Sequence, residues 1–268
     1  MKQKTILVAV SLALMAAIVS PAIAADATKP ATAGQPSADT ILKQMSDTLG
    51  AVQQFGFKAN REISSTLAAA KNLQATAQIQ VQVKRPNKVV ATSTNKDGVR
   101  SIFFDGKNLT MLDGKENMYS TVPLHSSLDG LAVELAQKYG FVPPLADFVI
   151  SNPYKDMTWR AQSITDAGRA TYHPGFLGLG GVLCDRLTLT GKFADSELWI
   201  AVSDHLPRKV ISTMKGGNAG ETVKIEFTDW NLAAPVTDQT FVFAPPQGAQ
   251  KIPMITTADA QAASKRKQ

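Results

Sequence analysis

The chain has 268 residues, a formal net charge of +6 and one cysteine, Cys184. That length can bury a substantial core, and a single cysteine excludes an intramolecular disulfide, so the fold must rest on its core. Lys2, Lys4, Lys265, Arg266 and Lys267 lie at the termini, and +6 less these five leaves about +1 for the body. Such a balance argues against nucleic acid, whose binding needs clustered Lys and Arg.

The chain opens with the pattern of a secretory signal peptide. Lys2 and Lys4 precede an apolar run from Ile6 to Val19 broken only by Ser11, and Ala22-Ile23-Ala24 forms an A-x-A cleavage site. The run is about fourteen residues, short of the roughly 20 needed to span a bilayer, which favours cleavage after Ala24 over a permanent anchor. Ala25 would follow the cut, so no thiol is there for lipid attachment. A periplasmic, exported protein is expected. Residues 25–38 are rich in Ala, Thr, Pro and Gly and read as a flexible leader.

Ser37 or Asp39 can cap a helix over residues 40–52, where Ile41, Leu42, Met45, Leu49 and Val52 recur at helical spacing. The period then changes to two. Phe55, Phe57 and Ala59 alternate with polar residues. In residues 73–84, Leu73, Ala75, Ala77, Ile79, Val81 and Val83 alternate with Gln74, Thr76, Gln78, Gln80, Gln82 and Lys84. This predicts a long antiparallel strand with one wet face, ended by Pro86. Asp97-Gly98, Asp105-Gly106 and Asp113-Gly114 follow, spaced for a meander in which Asp-Gly supplies the positive φ of tight turns. Ser126 or Ser127 can cap a second helix with Leu128, Leu131 and Leu135 on its apolar face and Gly140 as its stop. Pro143 can start a short third helix through Leu145, Phe148 and Val149. Strands are expected at 159–165, 182–190, 197–203, 208–214, 222–230 and 241–243, and residues 253–268 read as a loose tail.

No strand–helix–strand alternation appears, so a parallel sheet is not expected. The order predicts an α+β fold: one large curled antiparallel sheet with amphipathic helices packed against one face. The space between is either ordinary filled core or a ligand cavity.

Catalytic signatures are missing. There is no H-E-x-x-H, C-x-x-C or G-x-S-x-G, and His125, His173 and His205 fall in separate turns. No cofactor or metal is expected, and no enzyme activity. Asp204-His205 beside Pro207 reads as a turn. Cys184, in a strand-like setting, reads as a small buried hydrophobe rather than a reactive thiol. The glycine-rich residues 175–181 run into a strand, not a helix, and so fail the context of a dinucleotide loop. Phe176, Leu177 and Leu179 there either complete the core or meet lipid or a partner.

Several motifs resemble those of known proteins. Phe103-Phe104-Asp105-Gly106-Lys107-Asn108-Leu109-Thr110-Met111-Leu112 resembles a hairpin of periplasmic lipoprotein-carrier-like proteins. So do Leu198-Trp199-Ile200 with Leu206-Pro207-Arg208-Lys209-Val210, and the closing Phe241-Val242-Phe243-Ala244-Pro245-Pro246-Gln247-Gly248-Ala249. Over residues 39–252 the chain is similar to an uncharacterised family of predicted periplasmic proteins. The shared pattern stands here as Lys84-Arg85-Pro86, Tyr119-Ser120-Thr121-Val122-Pro123, Lys138-Tyr139-Gly140, Pro144-Leu145-Ala146-Asp147 and Gly181-Val182-Leu183-Cys184. The resemblance implies a half-open β-barrel whose concave face is covered by a helical lid over a hydrophobic cavity, which receives acyl chains of lipoproteins or serves a regulator that senses them. The expected function is non-enzymatic binding of a lipid or lipoprotein acyl chain. Expected contacts are Ile79, Val81, Leu131 and Leu135, with Phe176, Leu177 and Leu179 in the loop. A membrane surface or a periplasmic protein is a further expected partner. The alternative is a structural or regulatory interaction module with a filled core.

Overall fold

In the computed structural model, residues 34–70, 74–141, 143, 145–175, 180–259 and 262 are described. The first helix, α1 (Ala38–Gly50), starts where Ser37 accepts a hydrogen bond from the Thr40 N–H at 3.1 Å. Ser37 is therefore the cap, and Asp39 sits in the first turn, where its charge suits the helix dipole. Ile41, Leu42, Met45 and Leu49 are buried along one face.

Strand β1 (Gln54–Ile63), a short helix α2 (Ser65–Ala70) and β2 (Thr76–Lys84) follow. The predicted alternation holds in β2: Ala77, Ile79, Val81 and Val83 are buried, while Thr76, Gln78 and Gln80 are exposed. Leu73 lies outside the described residues. Helix α2 was not expected, because six residues are too few to show a helical period.

The meander continues through β3 (Lys88–Asn95), β4 (Gly98–Phe104), β5 (Asn108–Asp113) and β6 (Met118–Pro123). Its turns correct the Asp-Gly expectation in part. Gly98 and Gly106 take positive φ, but in the third turn Asn117 does so and Gly114 does not. The aspartates act through their carboxylates instead. Asp105 accepts from the Lys107 and Asn108 N–H groups at 2.8 and 2.7 Å, and Asp113 from Lys115 at 3.1 Å.

Helix α3 (Leu128–Tyr139) is capped by Ser127 and stops at Gly140, whose φ of 72° lies in the left-handed region. The helix expected after Pro143 is only a 3-10 turn, Ala146–Phe148. The next helix is α4 (Pro153–Arg160): Asn152 caps it by accepting from the Lys155 N–H at 2.9 Å, and Pro153 occupies its first turn. Trp159, expected to open a strand, therefore sits at the end of a helix. The second meander is β7 (Ala161–Tyr172), β8 (Val182–Gly191), β9 (Ala194–Ala201), β10 (Pro207–Met214) and β11 (Thr222–Asn231). The turn at 204–206 is as expected, with Asp204 accepting from the Leu206 N–H at 3.0 Å.

All these strands form one sheet, in the order β12-β6-β5-β4-β3-β2-β1-β11-β10-β9-β8-β7, with β12 being Gln250–Lys251. Pairing of β1 with β11 joins the two meanders. Every pairing is antiparallel except the two-residue β12 on β6. The ends β12 and β7 do not pair with each other, so the barrel is open, an α+β fold as expected. One core cluster runs from Phe104 and Leu109 through Ile79, Val81 and Phe227 to Leu187 and Leu198, and α1 and α3 contribute Leu42, Met45, Leu131 and Leu135 to it. Among the described residues no helix is long and apolar enough to cross a membrane.

The C-terminal stretch departs from expectation. Residues 241–243 do not form a strand; Asp238–Phe241 is a 3-10 turn. Phe241 packs with Ala234, Val236 and Val90, and the Phe243 ring lies tilted against Phe103 and Tyr119 at 5.3 and 5.0 Å between centroids. Val90 and Phe103 alternate with the inward Val89 and Phe104, so this stretch covers the outer face. It then pairs along β6 and returns inward. Met254 packs on the main core, and the Thr257 hydroxyl donates to the Gln137 and Lys138 carbonyls of α3. The described part of the predicted loose tail is thus held, and it covers one edge of the sheet.

Candidate functional site

The two sides of the concave face differ. In the centre, Ile79, Val81, Leu131 and Leu135 are all buried in the main core, with Leu135 at 0 % exposure. A polar clamp closes this region. The Arg85 guanidinium donates to the carbonyls of Leu49, Val52 and Ile150, the last at 2.7 Å, and lies 4.9 Å over the Phe55 ring. These bonds join carbonyls at and just past the end of α1 to the Ile150 carbonyl ahead of α4. Burial lowers the Arg85 pKa, and nearby Asp129 offsets part of this. Asp129 in turn accepts from the Ser151 N–H and hydroxyl at 2.6 and 2.7 Å. Gly50 lets α1 come this close: a Cβ there would stand 2.7 Å from the Ser151 carbonyl oxygen.

At the other side, under α4, an apolar cleft of about 570 Å³ opens at the 191–194 end of β8, β9 and β10. Its sheet wall is Leu189, Leu198, Val210 and Met214, and its helical wall is Phe148, Met157 and Trp159. The strand register explains the space. Leu189 pairs with Ser196, and Ser196 pairs with Ser212. Two small residues face each other where the neighbouring rungs carry Leu198 and Val210. Their hydroxyls bond to one another at 2.8 Å. Phe148 is the boundary: it lines the cleft and also meets Phe227 edge to face at 5.0 Å.

Helix α4 is held mainly by polar contacts. Ser46 of α1 accepts from the Tyr154 N–H at 3.0 Å, and the Tyr154 hydroxyl donates to Asp39 at 2.7 Å. Arg160 pairs with Asp147 and Asp156, each at 2.7 Å. Burial alone would lower the Arg160 pKa, but the two carboxylates outweigh it and leave it raised. Two other hollows are lined by charged and polar residues, such as Glu62 and Lys224 in one and Asp97 and Arg100 in the other.

The sequence-predicted contacts fall elsewhere. Ile79, Val81, Leu131 and Leu135 are core residues, and none of them lines the cleft. Phe176, Leu177 and Leu179 lie outside the described residues. The cleft residues were missed, although the inward Leu189, Leu198 and Val210 beside inward Ser196 and Ser212 carried a signal: an apolar face with a small polar gap. Cys184 is buried as expected, and burial pushes its thiol up to about 11. Among the described residues no group of three His, Cys, Asp or Glu side chains could hold a metal ion.

Fold and cleft together define an open, curled-sheet protein with a helical cover and an apolar recess. The chain belongs to the DUF2092 family of predicted periplasmic proteins, whose model matches residues 38–255. None of the curated proteins matches it. Among solved structures it is similar to a LolA superfamily protein from Nitrosomonas europaea, at 13% identity and TM-score 0.38, over 78% of this chain and 99% of that one. It is similar to a putative outer membrane lipoprotein-sorting protein domain from Vibrio parahaemolyticus, at 7% identity and TM-score 0.36, over 76% and 97%. It is also similar to the Pseudomonas aeruginosa MucA/MucB complex, at 18% identity and TM-score 0.38, over 78% of this chain and 62% of that one.

Proposed function

We propose that the chain is a periplasmic, non-enzymatic binding protein for one apolar chain, a lipid or lipoprotein acyl group, held in the cleft under α4. Export rests on the signal pattern at residues 1–24, with cleavage after Ala24. The observation that carries the binding reading is the cleft itself: about 570 Å³, walled by Leu189, Leu198, Val210, Met157 and Phe148, with its two inner hydroxyls bonded to each other. That volume lies in the ordinary range for small-molecule sites. Each methylene buried there contributes about 0.8 kcal/mol before ordering costs. The filled centre around Leu131 and Leu135 favours a second reading, in which the cleft receives an apolar side chain of a periplasmic protein.

Native mass spectrometry of the protein purified without detergent tests both. A bound lipid that is lost in Val210→Trp, with the melting temperature kept, supports acyl binding. A stoichiometric protein partner lost in the same variant supports the second reading. Full lipid occupancy in Val210→Trp would exclude the cleft.

A further inference from the structure

Two large aromatic side chains stand almost free in water at the mouth of the cleft. Trp159 is 84% exposed at the end of α4, and Phe193 is 74% exposed at the turn between β8 and β9. Single exposed apolar residues are ordinary, but these two share one rim. The backbone beside each carries bonds. The Phe193 carbonyl accepts from the Lys215 N–H at 2.8 Å, and the Lys215 ammonium bonds the Gly191 carbonyl at 2.9 Å and Asp195 at 2.6 Å. Arg160 ties the end of α4 to Asp147 of the preceding 3-10 turn.

The charges of the rim add a direction. Its carboxylates are occupied: Asp147 and Asp156 by Arg160, and Asp195 by Lys215. Lys155 and Lys192 have no ion pair among the described residues. Lys155 lies one helical turn before Trp159 and is exposed like it. The Lys192 ammonium lies 5.3 Å over the Phe193 ring. Phe193 thus has an unpaired cation over its ring, and Trp159 has one a helical turn away on its own helix face. Tryptophan with neighbouring lysines suits the headgroup level of a bilayer, where the ring is half dehydrated and the ammonium meets anionic lipid.

We propose that this rim, formed by Trp159 and Phe193 with Lys155 and Lys192, is a docking surface for an anionic phospholipid bilayer. Docking places the mouth of the cleft against the headgroups. It stands on the rim alone and holds whether or not the cleft carries an acyl chain.

Sedimentation with vesicles of phosphatidylglycerol and phosphatidylethanolamine, against pure phosphatidylcholine, tests it. The protein should associate with the anionic vesicles, and salt should weaken the association. Lys155→Gln with Lys192→Gln should weaken it by about thirtyfold. Trp159→Ser with Phe193→Ser should weaken it at least about tenfold, with circular dichroism and melting unchanged. Failure of the unaltered protein to bind anionic vesicles would overturn the proposal. So would wild-type binding by both double variants, or vesicle-independent dimers that Trp159→Ser with Phe193→Ser abolishes. Lipid occupancy by native mass spectrometry reports on the cleft separately, so either reading can fail without the other.

Discussion

The centre of the sheet and its α4 side are built from the same kind of strand, yet one is filled and the other is not. Into the filled core, α1 and α3 bring long apolar stripes: Ile41, Leu42, Met45 and Leu49 from one, Leu128, Leu131 and Leu135 from the other. Over the other side, α4 is eight residues long and buries only Pro153 and Met157. Strands β9 and β10 add no bulk at Ser196 and Ser212. The difference teaches that a curled sheet does not make a cavity by itself. A cavity remains where the covering helix is too short and the rung beneath it too small to fill the volume at normal packing density. The fastenings follow the same division. The centre is tied by a half-buried arginine to backbone carbonyls, and the α4 side by half-exposed ion pairs.

The sharpest way to break this comparison is to truncate one leucine on each side. Leu135→Ala should cost about 3 kcal/mol, since it opens a void in a closed core. Leu189→Ala, at the wall of an existing cleft, should cost about 1 kcal/mol. Equal losses in urea denaturation would show that the two sides are packed alike.

A smaller effect is expected from the two arginines. Arg85→Met should destabilise by about 2 kcal/mol, because three carbonyls lose a charged donor. Arg160→Met should cost less than about 1 kcal/mol, since its pairs are partly exposed and screened by water. If Arg160→Met proves the more damaging in thermal melts, the α4 cover is not the weaker fastening.

The smallest effect concerns alkaline pH. Burial raises the Cys184 thiol from 9.0 to about 11 and, with a smaller contribution from Glu226, the Tyr172 hydroxyl from 10.0 to about 12. The unfolded chain therefore releases these protons first. The folded state should lose stability as pH rises from about 9, and the Cys184 part of the loss should end near 11. Melting curves of Cys184→Ala should show a shallower decline between these values than the unaltered protein. An unchanged slope would place the titrating group elsewhere.

Much of the fold was legible because its signals are local. Alternation in residues 73–84 gave a strand, observed from Thr76, and its buried face, and Gly140 with the neighbouring cap candidates Ser37 or Asp39 and Ser126 or Ser127 marked helix ends through hydrogen bonds made within a turn or two. Helix α4 was missed although Asn152-Pro153 marks its start, because eight residues carry too few apolar positions to set a period against the strand that follows. The route of the C-terminal stretch was also hidden. Phe243 finds Phe103 and Tyr119, and Phe241 finds Val90, on strands more than a hundred residues earlier, and no local pattern encodes such contacts.

The sequence by itself determined the alternating strands, the amphipathic helices, the burial of Cys184 and the absence of any disulfide, since each depends on neighbours along the chain. Only the tertiary structure decided where the empty space lies. Whether an apolar residue lines core or cleft depends on what stands opposite. For Ile79, Val81, Leu131 and Leu135 the opposite side is full, and for Leu189, Leu198 and Val210 it is not. That balance of volumes is set by strand register and helix length together, and it appears only when distant segments meet.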